Sequence, residues 1–189
     1  SDWTNRLAHV LVEDLKVRPG NRVLIRSANN PAMVACWLAA TKAGAVVVNT
    51  MPMLRSGELS RIVDKAEITH ALCDTRLMDD LVVCARASRF LNTVVGFDGT
   101  SNHDAELDRL ALEQPVRFDA VRAGPDDVAL MGLTSCTTGS PTADIHVHRD
   151  LVIIAGGYAP QVPAAVPQAH LVGLPLCALT FGSGPAVVL

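Results

Sequence analysis

A stretch of small and hydroxylated residues in the second half of the chain carries the residue types best suited to binding chemistry. It covers residues 133–143 and has the sequence LTSCTTGSPTA. Such a stretch offers many N–H and O–H donors, and its glycine lets the backbone approach a ligand closely. The pattern is typical of a loop that wraps an anion. A plain polar turn between two strands has the same composition and is an equally good interpretation.

The neighbouring pattern places this stretch at the end of a strand. The apolar run at residues 128–132 predicts a buried strand that leads directly into it. Ligands of α/β sheets bind at the carboxyl ends of the strands, so the position favours the binding interpretation. The stretch is not a Walker-type phosphate loop, because it has no lysine and Gly139 is its only glycine.

Alternating strand and helix patterns predict an α/β fold, with a mostly parallel sheet flanked by helices. Apolar, often β-branched runs predict strands at residues 22–26, 46–48, 70–73, 93–97 and 128–132, near 145, and at 170–173. Apolar periodicity and capping signals predict helices at residues 3–15, 31–43, 56–65, 76–87, 104–113 and 150–159. Residues 114–127 are expected to form a connecting segment.

Helix-boundary signals are specific at three places. Asp2 is expected to cap the first helix. Asn30 and Pro31 are expected to be the cap and the first residue of the second helix, which Gly44 ends. Asn30 also belongs to a polar run at residues 27–30, which follows the first strand. Capping is the favoured interpretation of that run, and ligand contact is the alternative.

The stretch at 133–143 resembles the phosphate-binding signature of the adenylate-forming enzymes, a family of acyl-CoA synthetases, luciferases and nonribosomal adenylation domains. That signature is approximately aromatic-T-S-G-[ST]-T-G-x-P-K-G. The residues that match it are Thr134, Ser135, Thr137, Thr138, Gly139 and Pro141. Further segments that resemble the family lie at residues 19–25, 37–50, 54–59, 71–74 and 145–151. The similarity covers residues 5–181 and is greatest to benzoate- and 2-aminobenzoate-CoA ligases.

The resemblance implies an activity and its cofactors. In this family, ATP activates a carboxylic acid to an acyl-adenylate, and the acyl group then passes to coenzyme A. ATP, Mg²⁺ and coenzyme A are therefore the cofactors of the full-length enzymes, and the acid expected here is aromatic. The nucleotide-binding residues would be Thr134, Ser135, Cys136, Thr137, Thr138, Gly139, Ser140, Pro141 and Thr142. The acyl pocket would include His146, Leu179 and Phe181. The resemblance assigns no catalytic residue and no metal ligand to this chain.

Four positions depart from the family pattern. Cys136 and Ala143 stand where the family has glycine, and Thr142 stands where it has a lysine. Threonine cannot supply the positive charge of that lysine to the phosphates. Leu179 replaces the usual aromatic residue of the acyl pocket. These changes predict weakened nucleotide binding. They also favour an alternative, in which the chain is a degenerate, non-catalytic module that acts through binding or interaction.

Adenylate-forming ligases are much longer than 189 residues. The resemblance therefore implies that residues 1–189 are an incomplete N-terminal AMP-binding domain, without its remaining part and without the small C-terminal domain. We expect the chain alone to be inactive in adenylation. A partial domain would also leave apolar surface bare, which predicts self-association or a partner.

The composition excludes several other classes. Only 4% of the residues are aromatic and the net charge is −3, which argues against a nucleic-acid partner. No run reaches the ~18–20 apolar residues of a membrane helix, and no signal peptide is visible. A cytoplasmic protein is expected. A dehydrogenase-type nucleotide domain is disfavoured, because no G-x-G-x-x-G pattern follows the first strand.

Cysteines and histidines provide weaker signals. The five cysteines have no zinc-type spacing, so reduced thiols and no metal site are expected. Cys136 could react, although an inert substitution is the favoured interpretation. His146 and His148 alternate on a predicted strand, which would direct both side chains to one face. A packed strand histidine is the alternative to the pocket role of His146. The remaining histidines are interpreted as structural or surface residues: His9, His70, His103 and His170.

Overall fold

The computed structural model describes residues 1–100, 102–134 and 142–158. The α-helices are α1 (Asp2–His9), α2 (Pro31–Lys42), α3 (Ser56–Ala66), α4 (Met78–Ala87), α5 (Glu106–Leu112) and α6 (His148–Tyr158). A π-helical segment (Val10–Asp14) continues α1, and a 3₁₀ turn (Thr75–Leu77) precedes α4. The strands are β1 (Arg22–Arg26), β2 (Val46–Thr50), β3 (His70–Asp74), β4 (Thr93–Phe97), β5 (Val128–Thr134) and β6 (Thr142–Val147).

The described strands form one sheet in the order β4-β3-β1-β2-β5-β6. The pairs from β4 to β5 are parallel, and β6 is antiparallel to β5. The predicted mostly parallel sheet with flanking helices is therefore confirmed. β6 reverses direction because residues 135–141 alone separate it from β5, and a parallel crossover needs a dozen or more residues.

Helices cover the sheet on both faces. On one face, α1, α2 and α5 pack around side chains such as Leu7 and Met33, which are 1% exposed. On the other face, α3 and α4 pack around Leu59 and Leu81, which are fully buried. β2 and β3 are buried along their whole length, which explains why residues 46–48 and 71–73 are continuous apolar runs rather than alternating ones.

The helix caps follow the sequence signals with one exception. The side chain of Ser1, rather than that of Asp2, accepts a hydrogen bond from the Thr4 amide at the start of α1. Asp2 is the first helical residue, where its charge favours the helix N-terminus. The predicted cap of α2 is confirmed, because Asn30 Oδ1 accepts from the Met33 amide at 2.8 Å. Gly44 follows α2 with a φ of 75°, as the helix-ending signal predicts.

Other boundaries differ by a few residues. Arg76 lies in the 3₁₀ turn, so α4 begins at Met78, and α5 is shorter at both ends than predicted. His148 begins α6 instead of continuing the strand, so the prediction that His146 and His148 alternate on one strand is wrong. The predicted strand at 170–173 lies outside the described residues.

Candidate functional site

The stretch at 133–143 leaves the sheet at the edge that the sequence predicts. β5 is parallel to β2 and ends at Thr134, so it reaches the carboxyl edge together with β1, β2 and β3. Thr142 begins β6 and is paired with Thr134. The two strands therefore form a hairpin whose stem delivers residues 135–141 at the carboxyl edge. Several predicted site residues lie outside the described residues: Ser135, Cys136, Thr137, Thr138, Gly139, Ser140, Pro141, Leu179 and Phe181.

His146 lies well away from that edge. It is partly buried on β6 and opposite Leu130 of β5. β6 runs back from Thr142 towards the amino edge, and four residues of strand correspond to roughly 13 Å. The acyl-pocket role of His146 stays a prediction.

His148 lies further still from the carboxyl edge. Its amide donates to the carbonyl of Asp127, and its side chain lines a cleft of about 460 Å³ with Arg22 and Val46 at the amino edge of the sheet. The two histidines therefore lie on different elements, His146 on β6 and His148 at the start of α6.

A hydrogen-bonded network at the carboxyl edge escaped the sequence analysis. Asp74, at the end of β3, is fully buried and accepts from Arg76 Nε at 2.9 Å and Nη2 at 2.6 Å. It also accepts from the Ser27 hydroxyl at 3.4 Å, and Ser27 in turn accepts from Asn30 Nδ2 at 2.9 Å. Burial alone would raise the pKa of Asp74, but the hydrogen bonds and charge of Arg76 lower it. The carboxylate is therefore ionised and ties the ends of β1 and β3 to α2.

Gly99 closes this network from the β4 side. A Cβ atom built on Gly99 would overlap the Asp74 carboxylate and the Arg76 guanidinium. The backbone at residue 99 therefore approaches the carboxylate at a distance that only glycine permits. The sequence signal was an aspartate that ends an apolar strand two residues before an arginine, but its partners could not be found without the strand order.

Arg26 fixes the chain that follows β2. Its side chain is 2% exposed and donates to the carbonyls of Met51, Pro52, Leu54 and Leu77 at 2.8 to 3.2 Å. These four bonds satisfy the buried guanidinium without a carboxylate. Arg26 therefore acts as a structural clamp, although it lies at the edge where ligands bind.

A cleft of about 380 Å³ opens beside this clamp. Its charged lining includes Arg55, Arg76 and Asp80. Arg55 pairs with Asp80 at 3.3 Å, and Arg76 pairs with Asp74 at 2.6 Å. The cleft therefore has both signs of charge, and both Arg55 and Arg76 already have carboxylate partners.

Two buried side chains at the end of β2 have polar atoms without partners. Asn49 is 8% exposed and Thr50 is 3% exposed. Within the described part of the chain, Asn49 Oδ1 and Thr50 Oγ1 have no hydrogen-bond partner. These two atoms lie at the same edge of the sheet as Thr134.

Cys36, Cys73 and Cys84 are free thiols, as the sequence predicts, and all three are buried. Burial raises the pKa of all three, and that of Cys73 to about 12.

Across residues 1–100, 102–134 and 142–158, no group of three His, Cys, Asp or Glu side chains could hold a metal ion. None of the helices in that same part of the chain is long and apolar enough to cross a membrane.

The family model for AMP-binding enzymes matches residues 1–189. The chain belongs to that family. It is 28% identical over 160 residues to 2-succinylbenzoate–CoA ligase of Salmonella typhimurium, covering 85% of this chain and 30% of the relative. It is 26% identical over 175 residues to long-chain-fatty-acid–CoA ligase FadD13 of Mycobacterium tuberculosis, covering 91% of this chain and 33% of the relative. The chain thus spans about a third of the length of these relatives.

The solved structures agree with the fold. The crystal structure of ATP-bound MatB from Rhodopseudomonas palustris superposes with a TM-score of 0.83 at 22% identity. The superposition covers 99% of this chain and 37% of that one. The family match confirms the sequence resemblance to adenylate-forming enzymes. The solved structures show that the six-stranded sheet has the fold of their N-terminal domains.

Proposed function

We propose that this AMP-binding family chain forms the phosphate-binding part of an acid–CoA ligase that converts a carboxylic acid and ATP to an acyl-adenylate and then to a thioester. The observation that carries the proposal is the hairpin of β5 and β6. Its stem ends at Thr134 and Thr142 on the carboxyl edge of a parallel sheet, where α/β proteins bind nucleotides. The hydroxyl-rich stretch between those residues is the part of the chain best suited to phosphate.

The residues of this stretch would act by hydrogen bonding. Backbone N–H groups and the hydroxyls of Ser135, Thr137 and Thr138 would donate to the phosphate oxygens. Such donors stabilise negative charge as it moves onto the leaving pyrophosphate. The contribution is electrostatic, and it requires that the stretch be held in one arrangement.

We propose Mg²⁺ and coenzyme A as cofactors only because the full-length enzymes of this family use them. The described residues supply no set of three His, Cys, Asp or Glu side chains for a metal ion. No residue of this chain is assigned to Mg²⁺ or to coenzyme A. A binding measurement with ATP, with and without MgCl₂, would show whether the metal contributes here.

The acid is proposed to be aromatic. Support comes from the similarity of residues 54–59 and 71–74 to benzoate-type ligases and from the succinylbenzoate relative. The fatty-acid relative supports a different acid, so the choice must be measured. Titrating the chain with benzoate, 2-aminobenzoate and hexanoate in the presence of ATP should give saturable binding for the aromatic acids alone.

The central test measures ATP binding and ATP–pyrophosphate exchange with the purified chain. We expect saturable ATP binding without exchange, because the chain spans about a third of its relatives. Exchange above background with benzoate-type acids would show that the expected inactivity is wrong. No ATP binding at millimolar concentration would contradict the proposed function itself.

The alternative is a degenerate module that has lost nucleotide binding. The identities of Cys136, Thr142 and Ala143 favour it, because they replace the glycines and the lysine of the family signature. The double variant Cys136→Gly, Thr142→Lys should then gain ATP affinity. A restored charge-assisted contact contributes about 1.5–3 kcal/mol, which corresponds to roughly 10- to 100-fold. Cys136→Ala is the matched control, since it adds neither the charge nor the backbone freedom. A double variant that binds no better than this control would argue that the loss extends beyond the loop.

A further inference from the structure

The carboxyl end of β2 combines deep burial with unused hydrogen-bonding capacity. Asn49 Oδ1 and Thr50 Oγ1 are both inaccessible to solvent and without a partner among the described residues. A buried amide or hydroxyl without a partner destabilises a fold, since it has lost its hydrogen bonds to water. The three preceding residues of β2 are valines, so an apolar end would have suited the strand. The presence of two polar residues at this position indicates that a hydrogen-bond donor pairs with them when the protein functions.

The register of the sheet indicates where that donor lies. On one side of β2, Asn49 and Thr50 are paired with Ile25 and Arg26 of β1. On the other side, Val47 and Val48 are paired with Leu130 and Met131 of β5. Continuing that register places Asn49 beside residue 132 and Thr50 beside residue 133. Residues 132–134, here called the β5 exit, are the last of β5 before the hydroxyl-rich stretch.

The β5 exit has backbone groups to offer. The β2–β5 pairing ends at Val48 and Met131, whereas the β5–β6 pairing continues to Thr134. Successive residues of a strand direct their backbone N–H groups to opposite sides. One of the two amides of Gly132 and Leu133 therefore faces β2 and not β6. Gly132 also lacks a side chain that would keep the Asn49 carboxamide away from the backbone.

We propose that Asn49 and Thr50 are positioning residues. When the ends of β2 and β5 come closer than in the described arrangement, the two side chains accept hydrogen bonds from the backbone of the β5 exit and hold it in the position that binds nucleotide. This inference rests on the proposed function, because the β5 exit leads into the stretch that would bind phosphate. Neither residue contacts substrate in this scheme. Each acts through the strand that delivers the phosphate-binding stretch.

The test replaces each residue by a near-isosteric apolar one. Asn49→Leu and Thr50→Val remove the acceptors while filling the same space, and Thr41→Val is the matched control. Thr41 is partly buried on α2, and its hydroxyl donates to the Trp37 carbonyl of its own helix at 2.9 Å. ATP affinity, melting temperature and amide hydrogen exchange of residues 128–134 are measured for all three variants and the wild type.

We expect both β2 variants to lose about tenfold or more in ATP affinity, with an unchanged or higher melting temperature. ATP should slow amide exchange at residues 128–134 in the wild type and in Thr41→Val, but not in the β2 variants. Unchanged ATP affinity together with a higher melting temperature would overturn the assignment, since the two groups would then be unpaired in the bound protein as well.

If the wild-type chain binds no ATP, the proposed function is refuted. The positioning role of Asn49 and Thr50 must then be tested without nucleotide. Amide exchange without nucleotide then decides it. Faster exchange at residues 128–134 in both β2 variants, but not in Thr41→Val, supports the inference. Equal exchange rates in all four proteins overturn it.

Discussion

Single residues at the carboxyl edge hold the strand ends in place through short-range contacts. Asp74 has no exposed surface, and its oxygens accept hydrogen bonds from Arg76 and Ser27. Because Ser27 follows β1 and Asp74 ends β3, the Ser27 contact joins two neighbouring strands, whereas the Arg76 contact holds the turn that follows β3. The geometry of the edge therefore depends on a few atoms.

Gly99 provides a direct test of this packing. Gly99→Ala would force a Cβ atom into the Asp74 carboxylate, so we expect a loss of about 1–3 kcal/mol in the free energy of unfolding. Gly57→Ala is the control, since a Cβ there meets nothing within 4 Å and alanine favours the helix. Urea unfolding of both variants measures the difference. Equal stabilities would show that the contact at residue 99 is not close.

His9 makes the stability depend on pH. Its Nδ1 lies 2.7 Å from Glu13 Oε1 and its Nε2 lies 2.6 Å from the Arg117 carbonyl, so both nitrogens face acceptors and the charged imidazolium satisfies both. Burial alone would lower the pKa of His9, but these two bonds and the charge of Glu13 raise it above its ordinary value of 6.5. Its contribution is therefore complete below pH 6.5 and is lost as pH rises through the higher folded-state pKa.

The measurement is urea unfolding between about pH 6 and pH 8. We expect the wild type to lose stability with rising pH, and His9→Gln to show a smaller loss over the same range. A slope that His9→Gln leaves unchanged would assign the pH dependence to other groups.

Whole elements were largely predictable, because each has a local signal. The valine run of β2 and the Asn30-Pro31 start of α2 depend on neighbours in sequence, and the structure confirms both. The cap of α1 was misassigned because Ser1 and Asp2 are both good caps, and only the geometry selects Ser1. The start of α6 at His148 was missed because its strand-like alternation continues past the point where Asp150 Oδ2 accepts from the Val147 amide.

The candidate site was predictable only in part. The position of the hydroxyl-rich stretch at the carboxyl edge followed from the apolar run before it. Ser27 and Asp74 are far apart in sequence, and β1 and β3 become neighbours only through the strand order. The same holds for Asn49, because its unpaired oxygen and the end of the β2–β5 pairing at Val48 are known only from the structure.

The start of α2 can be tested as an element. Asn30→Ala removes both the cap and the bond to Ser27, so we expect a loss of about 1–2 kcal/mol. Asn30→Ser keeps a capping oxygen but not the reach to Ser27, and it should recover most of that loss. Thermal or urea unfolding compares the two. If Asn30→Ser is as unstable as Asn30→Ala, the bond to Ser27 contributes more than the cap.

At the scale of the whole molecule, apolar side chains are exposed at the β6 end of the sheet. Ile145, Val152 and Ile153 are 56%, 72% and 65% exposed. Exposed apolar side chains favour association, so we expect the sedimentation coefficient to rise with protein concentration. Val152→Lys should reduce the rise without lowering the melting temperature. Met53→Lys is the control, since Met53 is 76% exposed but lies beyond β2. A concentration-independent monomer would contradict this expectation.

The hairpin of β5 and β6 makes the stretch between them exchangeable as a unit. Thr134 and Thr142 are held opposite each other by strand pairing, so the stem keeps its register whatever sequence joins the two residues. The free-energy cost of closing a connecting segment rises only by about 0.6 kcal/mol for each doubling of its length. We therefore expect that changes in the sequence of residues 135–141 alter ligand binding while the stem and the rest of the sheet fold as before.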